Sequence, residues 1–391
     1  MELQIDTVDG VSTLEADAWN ELVDDDNPFV EYGLLHTLET SGCLEPESGW
    51  RPHIVTARDG DDQLVGAVPL YLTQNSEGEF VFDWSWADAA RRAGIDYYPK
   101  GVVGVPFTPV TGARLLVAPD VDDADAVRTS LVEATLNIAD ELQLSSVHFN
   151  FIPPERRAIF EDTGLPIRTG VQYHWNNDDG TDSADTYDDF DDFLSRFRSK
   201  KRSNIRRERR KLGESGVTTT VKTGDDIDEN DMRRMYRYYL DTVHKHLYGR
   251  QYLTEEFFVQ LREALPHRLH MVFAERDGAP FAGALNLMND RRLFGRYWGC
   301  EEEVKFAHFE TCIYSAVEWC IAHNIDVFEP GAGGEHKLTR GFEPTRTYSA
   351  HYVRDPGFRR AVTDFIERET EHVEAQIQEM RGDLPFKKGR R

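Results

Sequence analysis

The feature that most constrains the fold of this chain is a long internal repeat. In the first half, Ala57-Arg58-Asp59-Gly60 leads into residues 64–70, and in the second half Glu275-Arg276-Asp277-Gly278 leads into residues 281–287. Each copy has the pattern of a strand, an Asp-Gly turn and a second strand that carries Gly-Ala at the same place. The copies lie 217 to 218 residues apart. This spacing is too long for a solenoid, and it favours a duplicated domain over two unrelated hairpins because two predicted helices precede the hairpin in both halves.

The order of the predicted elements gives the domain organisation. A chain of 391 residues is long enough for two domains. The second half has the pattern β-α-α-β-β-β-α-β followed by a last strand, so we predict an α/β fold with a mixed sheet. We place a first domain at residues 1–175, an acidic linker at 176–189 and a second domain at 190–391. The second domain then includes a basic helix at 190–212 and a C-terminal helix at 355–380.

The charge of the chain limits its partners and its surroundings. Lys plus Arg number 45 and Asp plus Glu number 70, so the formal net charge is −25. A chain this acidic does not coat DNA or an anionic membrane non-specifically. The acidic residues are spread along the chain, which is typical of a halophilic protein because the salt of its cytoplasm relieves the repulsion between charges. An ordinary acidic protein is the alternative.

The compartment follows from what the sequence lacks. The N-terminus has neither the basic nor the apolar segment of a signal peptide, and no apolar run approaches the roughly 18–20 residues of a membrane helix. The four cysteines have neither zinc-finger nor CxxC spacing. We therefore expect a cytoplasmic protein with no membrane insertion and no metal.

Long motifs with a family resemblance extend over nearly the whole chain. They are residues 27–30, 81–88, 97–100 and 105–112 in the first half, and residues 200–210, 295–300, 308–310, 329–337, 340–342 and 347–351 in the second. In these segments the sequence resembles the FemAB-like peptidoglycan biosynthesis/recognition family of GNAT (Gcn5-related) N-acetyltransferases. The resemblance implies two tandem GNAT-like acyl-CoA N-acyltransferase domains. It also implies transfer of an acetyl or aminoacyl group to the amine of a small molecule or peptide, with acyl-coenzyme A or aminoacyl-tRNA as donor and tRNA as a partner.

The first candidate site spans residues 295–310. In the GNAT fold that the resemblance implies, the loop after the fourth strand holds the coenzyme A pyrophosphate through backbone N–H groups. An acidic triplet at residues 301–303 replaces the small residues of that pattern and repels a pyrophosphate. His308 is a candidate general base, with a capping or packing histidine as the alternative. The candidate donor-binding residues are Arg296, Tyr297, Trp298, Gly299 and Lys305, and the alternative is that Arg296 and the glutamates pair with other surface charges.

The second candidate site is a glycine-rich turn after a predicted strand at 326–329. Backbone N–H groups in such a turn bind anions, and the side chains that follow combine proton transfer with phosphate or carboxylate binding. The alternative is a strand-to-helix connection with a solvated charged face. The candidate residues are Gly333, Gly334, Glu335, His336, Lys337 and Arg340.

The third and fourth candidates are an aromatic segment at 82–109 and a basic run at 196–211. The aromatic segment has the composition of a surface for a sugar, a peptide or an acyl chain, or of an interface core. The basic run is suited to the phosphates of tRNA or of a lipid diphosphate, or to pairing with the acidic residues 178–192. The candidate binding residues are Asp83, Trp84, Trp86 and Lys100 in the first segment, and Lys200, Arg202 and Arg206 in the second.

Together with the family resemblance, these candidate residues predict an N-acyltransferase. A base such as His308, Glu335 or His336 takes a proton from an amine, and the amine attacks a carbonyl carbon. A backbone N–H group near residues 297–299 holds the resulting oxyanion. The rival hypothesis is a non-catalytic ligand- or RNA-binding protein on the duplicated fold, because residues 301–303 depart from the donor-binding pattern.

Overall fold

The computed structural model describes residues 2–23, 26–44, 48–178, 186–245 and 250–387. The chain divides into two compact units, Met1–Val171 with Arg346–Ala375 (unit 1) and Gln172–Thr345 with Gln376–Arg391 (unit 2). The expected first domain ends at residue 175, and the expected second domain runs from residue 190 to the end of the chain. In the structure, Arg346–Ala375 belongs to unit 1 instead. The reason lies in strand pairing, because the end of the last strand pairs with a strand from the first half of the chain.

Unit 1 contains two sheets, of which the smaller is antiparallel and the other is mixed. The small sheet has the order β1-β3-β4-β7, and the second sheet has the order β15-β8-β6-β5-β2, in which β6 and β8 run parallel. Helix α4 packs its apolar side chains against one face, where Val147 and Phe149 are buried. The elements are β1 Gln4–Val8, α1 Ala16–Asn20, α2 Tyr32–Thr40, β2 Trp50–Pro52, β3 Ile54–Arg58, β4 Leu64–Val68, β5 Leu70–Thr73, α3 Trp84–Ala93, β6 Lys100–Val103, β7 Leu116–Val117, α4 Ala124–Glu141, β8 Ser146–Ile152, α5 Arg157–Asp162 and β9 Ile167–Asn176.

Unit 2 has the strand order β10-β11-β12-β13-β14-β9. Strands β10 to β13 are antiparallel neighbours, and β13 and β14 run parallel. The predicted order of elements in this half is therefore confirmed. The elements after residue 186 are α6 Phe190–Ser195, α7 Ser199–Glu214, β10 Val217–Thr223, α8 Glu229–Lys245, α9 Glu255–Ala264, β11 Leu269–Arg276, β12 Ala279–Met288, β13 Arg292–Cys300, α10 Ala307–Phe309, a π-helical turn Glu310–Tyr314, α11 Ser315–Ala322, β14 Val327–Glu329, a 3₁₀ helix Glu335–Arg340, β15 Glu343–Val353 and α12 Pro356–Asp383. Most of β15 and of α12 belongs to unit 1.

Two predicted segments differ from the structure. The aromatic segment contains a helix, α3, whose buried Trp86 and Ala90 lie one turn apart and whose end is set by the left-handed Gly94. The expected basic helix at 190–212 is two helices, because residues 196–198 leave the helical path between α6 and α7. Within the expected acidic linker, residues 179–185 lie outside the described residues.

Neither a membrane helix nor a metal site is found in the described ranges. None of their helices is both long enough and apolar enough to cross a membrane. Over the same ranges, no three His, Cys, Asp or Glu side chains come together as a metal would require.

Candidate functional site

The two central strands of unit 2 separate at the first candidate site. β13 and β14 pair over three residues each, from Arg292 opposite Val327 to Phe294 opposite Glu329, and then diverge. A Cβ atom on Gly331 would lie 3.1 Å from the carbonyl oxygen of Gly295, and Gly331 has the left-handed φ of 80°. The close approach of these two glycines therefore fixes the point of divergence, which we call the fork.

Beyond the fork, β13 carries an extra residue and packs tightly on α8. Its partner in β12 changes register so that Leu285 lies opposite Tyr297 and Asn286 opposite Gly295, which leaves Arg296 in a β-bulge. A Cβ atom on Gly299 would lie only 1.8 Å from the carbonyl oxygen of Tyr238. Helix packing thus explains why a glycine is needed at 299.

A surface pocket of about 660 Å³ lies beside the far end of β13. Trp298, Lys305 and His308 line it, and the rings of Trp298 and His308 meet edge to face with their centroids 5.1 Å apart. Burial lowers the pKa of His308 to about 4, and the charges of His336, Lys337 and Arg340 add to this effect. His308 is therefore neutral at pH 7 and has a free nitrogen for a proton.

The glycine-rich turn wraps around a buried ammonium group. Lys337 is 7% exposed, and its Nζ donates to the carbonyl oxygens of Gly331 at 2.7 Å and Pro330 at 3.1 Å. Gly333 and Gly334 have left-handed φ angles of 69° and 90°, which let the turn close around it. Burial lowers the pKa of Lys337 to about 8. This side chain therefore shapes the turn from inside and does not extend towards a ligand in solvent.

Arg340 is likewise buried behind the turn. Its guanidinium donates to the Tyr314 hydroxyl at 2.9 Å and to Glu208 Oε2 at 3.1 Å, and it lies 3.4 Å from the ring centroid of Phe309. A third donor bonds the carbonyl oxygen of His336 at 3.1 Å. The phosphate contact expected of this side chain is thus replaced by contacts that hold the turn and the helix together.

Glu335 and His336 are the exposed ionisable side chains of the turn. The His336 ring lies 5.8 Å from that of His308 and 5.6 Å from that of Phe309, measured between centroids. Burial lowers the pKa of His336, as do the nearby charges of Arg340 and Lys337. The fork therefore brings together two neutral imidazoles in front of two buried cations.

Each glutamate of the acidic triplet has a cationic neighbour. Glu302 pairs with Arg276 at 2.7 Å, Glu303 with Lys245 at 3.2 Å, and Glu301 lies 3.9 Å from Arg237. The backbone N–H of Glu301 is also used, because it donates to the carbonyl oxygen of Phe281 at 2.8 Å. For the glutamates these contacts agree with pairing to surface charges, the alternative considered for this segment. Arg296 instead lies over the Tyr297 ring, 5.2 Å from its centroid.

The basic side chains of helix α7 are of two kinds, those that form ion pairs with acidic residues and those that do not. Arg206 bonds Asp191 at 2.7 Å, and Arg209 bonds both Glu310 and Glu318. Within the described ranges, Lys200 and Arg202 make no ion pair. Lys200 also shares an exposed stripe with Arg207 and Lys211, seven and eleven residues further along the helix.

The aromatic segment of unit 1 folds over a buried charged cluster. Lys100 is fully buried, and its Nζ contacts Asp83, Glu79 Oε1 at 2.6 Å and Ser76 Oγ at 3.0 Å. The Tyr97 hydroxyl donates to Asp83 at 2.6 Å. Burial raises the pKa of Glu79 to about 8, so the cluster is a Lys–Asp ion pair beside a protonated carboxyl at pH 7.

Behind this cluster, two strands carry the same Ser-x-His pattern. His148 on β8 lies opposite His351 on β15, and their Nδ1 atoms are 2.8 Å apart. Ser146 and Ser349 bond the outer nitrogens at 2.9 and 2.8 Å. The repeated Ser-x-His pattern is the sequence signal for this polar sheet face, and none of the four candidate sites includes it.

The two tryptophans of the segment have different surroundings. Trp86 is buried, with its ring 4.9 Å from His351 between centroids. Trp84 is 58% exposed and lines a groove of about 550 Å³ together with Tyr97 and Tyr98. Asp83 and Lys100 are therefore interior residues, whereas Trp84 is exposed to solvent.

Several solved structures resemble this chain in fold. The structure of FemX is 10% identical, with a TM-score of 0.52 over 92% of this chain and all of that one. The C-terminal domain of a putative lysylphosphatidylglycerol synthetase from Agrobacterium fabrum is 10% identical, with a TM-score of 0.51 over 89% of this chain and 95% of that one. A tandem GNAT protein from the clavulanic acid biosynthesis pathway is 12% identical, with a TM-score of 0.45 over 91% of this chain and 99% of that one.

Identities this low describe the fold alone. No functionally curated protein matches the sequence. The family model described as FemAB-like, peptidoglycan biosynthesis/recognition, matches residues 10–388. Since this match spans nearly the whole chain and both units, the protein belongs to the FemAB-like family.

Proposed function

We propose that the protein is an N-acyltransferase whose reaction takes place at the fork of unit 2. The observation that supports this most is the position of His308, a neutral imidazole beside Trp298 in an open pocket at the end of a diverging strand. An acyl transfer to an amine needs a proton acceptor and a donor to the oxyanion within reach of one carbonyl group. The fork offers both.

The oxyanion donor that we propose is the backbone N–H of Trp298. The carbonyl of Trp298 accepts from Thr242 Oγ1 at 2.6 Å, whereas the N–H of Glu301 points to β12. In a strand, both polar groups of one residue point to the same side and successive residues alternate. The N–H of Trp298 therefore points away from β12, to the edge of β13 that β14 has left.

The buried cations give the site its electrostatic character. Lys337 and Arg340 make the fork favourable for an oxyanion and unfavourable for an imidazolium. An anionic donor bound in front of them offsets their charge and raises the pKa of His308 and His336. Proton acceptance by the imidazoles then becomes coupled to donor binding.

For the donor, we propose aminoacyl-tRNA rather than acyl-coenzyme A. The acidic triplet at residues 301–303 is exposed where a pyrophosphate would bind, and the N–H of Glu301 is already bonded. Lys200, Arg207 and Lys211 present an exposed cationic stripe on α7, which suits a row of phosphates. The acceptor is an amine on a small molecule or a peptide, and we propose a salt-rich cytoplasm as the compartment.

The test is amide formation followed by mass spectrometry, with aminoacyl-tRNA or acetyl-coenzyme A and a mixture of primary amines. His308→Ala is expected to lower kcat/KM about 100-fold or more, the usual effect of a lost general base. His267→Ala, an exposed histidine of a 3₁₀ turn, is the matched control. Product at equal rates in both variants contradicts the proposal, and absence of product with either donor favours a non-catalytic ligand-binding protein.

A further inference from the structure

A buried carboxylate at the fork has an oxygen without a partner. Glu329, the last residue of β14, is 3% exposed. Its Oε1 accepts from Arg292 Nη1 at 2.6 Å, but among the described residues its buried Oε2 has no hydrogen-bond partner. Leaving a buried carboxylate oxygen without a hydrogen bond is costly, so a ligand that donates one would be stabilised at this position.

Among the described residues, no neighbouring side chain donates a hydrogen bond to this oxygen. His174 on β9 lies across the sheet from Glu329, with its Nε2 3.8 Å from Oε2 and 3.2 Å from the Gln172 side-chain oxygen. The Nε2 of His174 is within hydrogen-bond distance of the Gln172 oxygen, whereas 3.8 Å is too long for a hydrogen bond to Glu329 Oε2. The nearby cations are occupied, since Arg292 bonds Oε1 and Lys337 bonds the turn carbonyls.

We propose that Glu329 Oε2 binds the primary ammonium group of the acceptor and, with His174 beside it, takes the first proton from that group. A group with several N–H donors and a positive charge complements this set of oxygens. The position also suits the chemistry, because Glu329 is the last β14 residue paired with β13 before the fork. The proton step rests on the acyl transfer proposed above, whereas ammonium binding does not.

The reaction then balances as follows. The ammonium gives one proton to Glu329 Oε2, and the free amine nitrogen bonds to the acyl carbon. The bond from that carbon to the ribose oxygen of the aminoacyl-tRNA breaks. His308 takes the second amine proton, and the leaving oxygen receives a proton from it. Glu329 returns its proton to solvent.

The experiment measures binding of 1,5-diaminopentane to the full chain by calorimetry at pH 7, with 1,5-pentanediol as the uncharged analogue. We expect saturable binding of the diamine and no binding of the diol. Glu329→Gln, which keeps the size and the bond to Arg292 but loses the charge, is expected to weaken binding about tenfold or more. Glu256→Gln, on the exposed surface of α9, is expected to bind as the native protein does.

The outcomes separate this inference from the proposed function. Equal binding by the native protein and Glu329→Gln overturns the inference, and so does failure of the native protein to bind the diamine. If Glu329→Gln does not fold, Glu329→Asp keeps the charge but withdraws it by one methylene, and native-like binding by that variant overturns the inference. Diamine binding without any amide product supports the ammonium site and counts against acyl transfer.

Discussion

At the scale of single residues, Gly299 shows how a motif glycine can serve packing. A Cβ atom there would lie 1.8 Å from the Tyr238 carbonyl oxygen, and backbone cannot move aside as a side chain can. We expect Gly299→Ala to lower the free energy of unfolding by about 1–3 kcal/mol or more, as overpacking does. Gly213→Ala on α7, where the added Cβ meets open space, is expected to raise it by roughly 0.5–1 kcal/mol. Urea unfolding of both variants measures the two shifts, and equal stability of Gly299→Ala contradicts the packing argument.

The same scale gives a prediction for His308. Its pKa is lowered to about 4 first by burial and then by neighbouring charges that include Lys337. Replacing Lys337 with Met removes one of these charges, so the titration midpoint of His308 is expected to move to higher pH. Ring signals of His308 in an NMR titration measure this directly. An unchanged or lower midpoint in a folded Lys337→Met variant would mean that this cation does not act on the imidazole.

At the scale of elements, the pairing of β8 with β15 predicts acid sensitivity. Burial lowers the pKa of both His148 and His351, so the folded state binds fewer protons than the unfolded chain. Above about pH 6.5 both histidines are neutral in the folded and the unfolded chain, and the free energy of unfolding does not depend on their titration. Below that pH the unfolded chain binds protons that the folded state does not, so the free energy of unfolding decreases as the pH falls. Replacing both with Gln is expected to reduce the slope of stability against pH by up to about 2.7 kcal/mol per pH unit, from two protons. Urea unfolding between pH 5 and 7 tests this, and an unchanged slope contradicts it.

The elements also show what the sequence could predict and what it could not. Periodicity and turn residues correctly predicted β10 to β14 and the C-terminal helix. The apolar pattern does not predict helix α3, because its buried face consists of one tryptophan and alanines among charged residues. The association of β15 with unit 1 could not be predicted from the sequence either, because the partner of a strand is set by tertiary contacts that leave no local sequence pattern.

In the candidate site, too, some features are predictable from the sequence and others are not. Sequence reasoning selected the glycine turn and His308, which carry recognisable residue types, but assigned Lys337 and Arg340 to ligand contacts. Both are buried and bonded within the protein, and only the three-dimensional arrangement reveals this. The sequence gives no reason to select Glu329 as a site residue, because an acidic residue at a strand end usually faces solvent. Its significance depends on the cross-strand His174, which is distant in sequence.

At the scale of the whole molecule, the net charge of −25 predicts a stability that depends on salt. Like charges repel most at low ionic strength, and the Debye length falls from about 10 Å at 0.1 M to about 3 Å at 1 M salt. We expect the Tm to rise steeply with KCl over this range.

A variant with two reversed charges tests whether this salt dependence comes from the net charge. The substitutions Asp122→Lys and Glu141→Lys reverse two exposed acidic residues, so the net charge becomes −25 + 4 = −21. The variant is expected to have a higher Tm than the native protein at 0.1 M KCl and an equal Tm at 2 M KCl, because screening removes the difference. Thermal unfolding followed by circular dichroism gives both values, with the neutral exchange Thr129→Ser at a partly exposed position of α4 as control. A gain that persists at 2 M KCl would show that the substitutions act through local structure and not through the charge of the molecule.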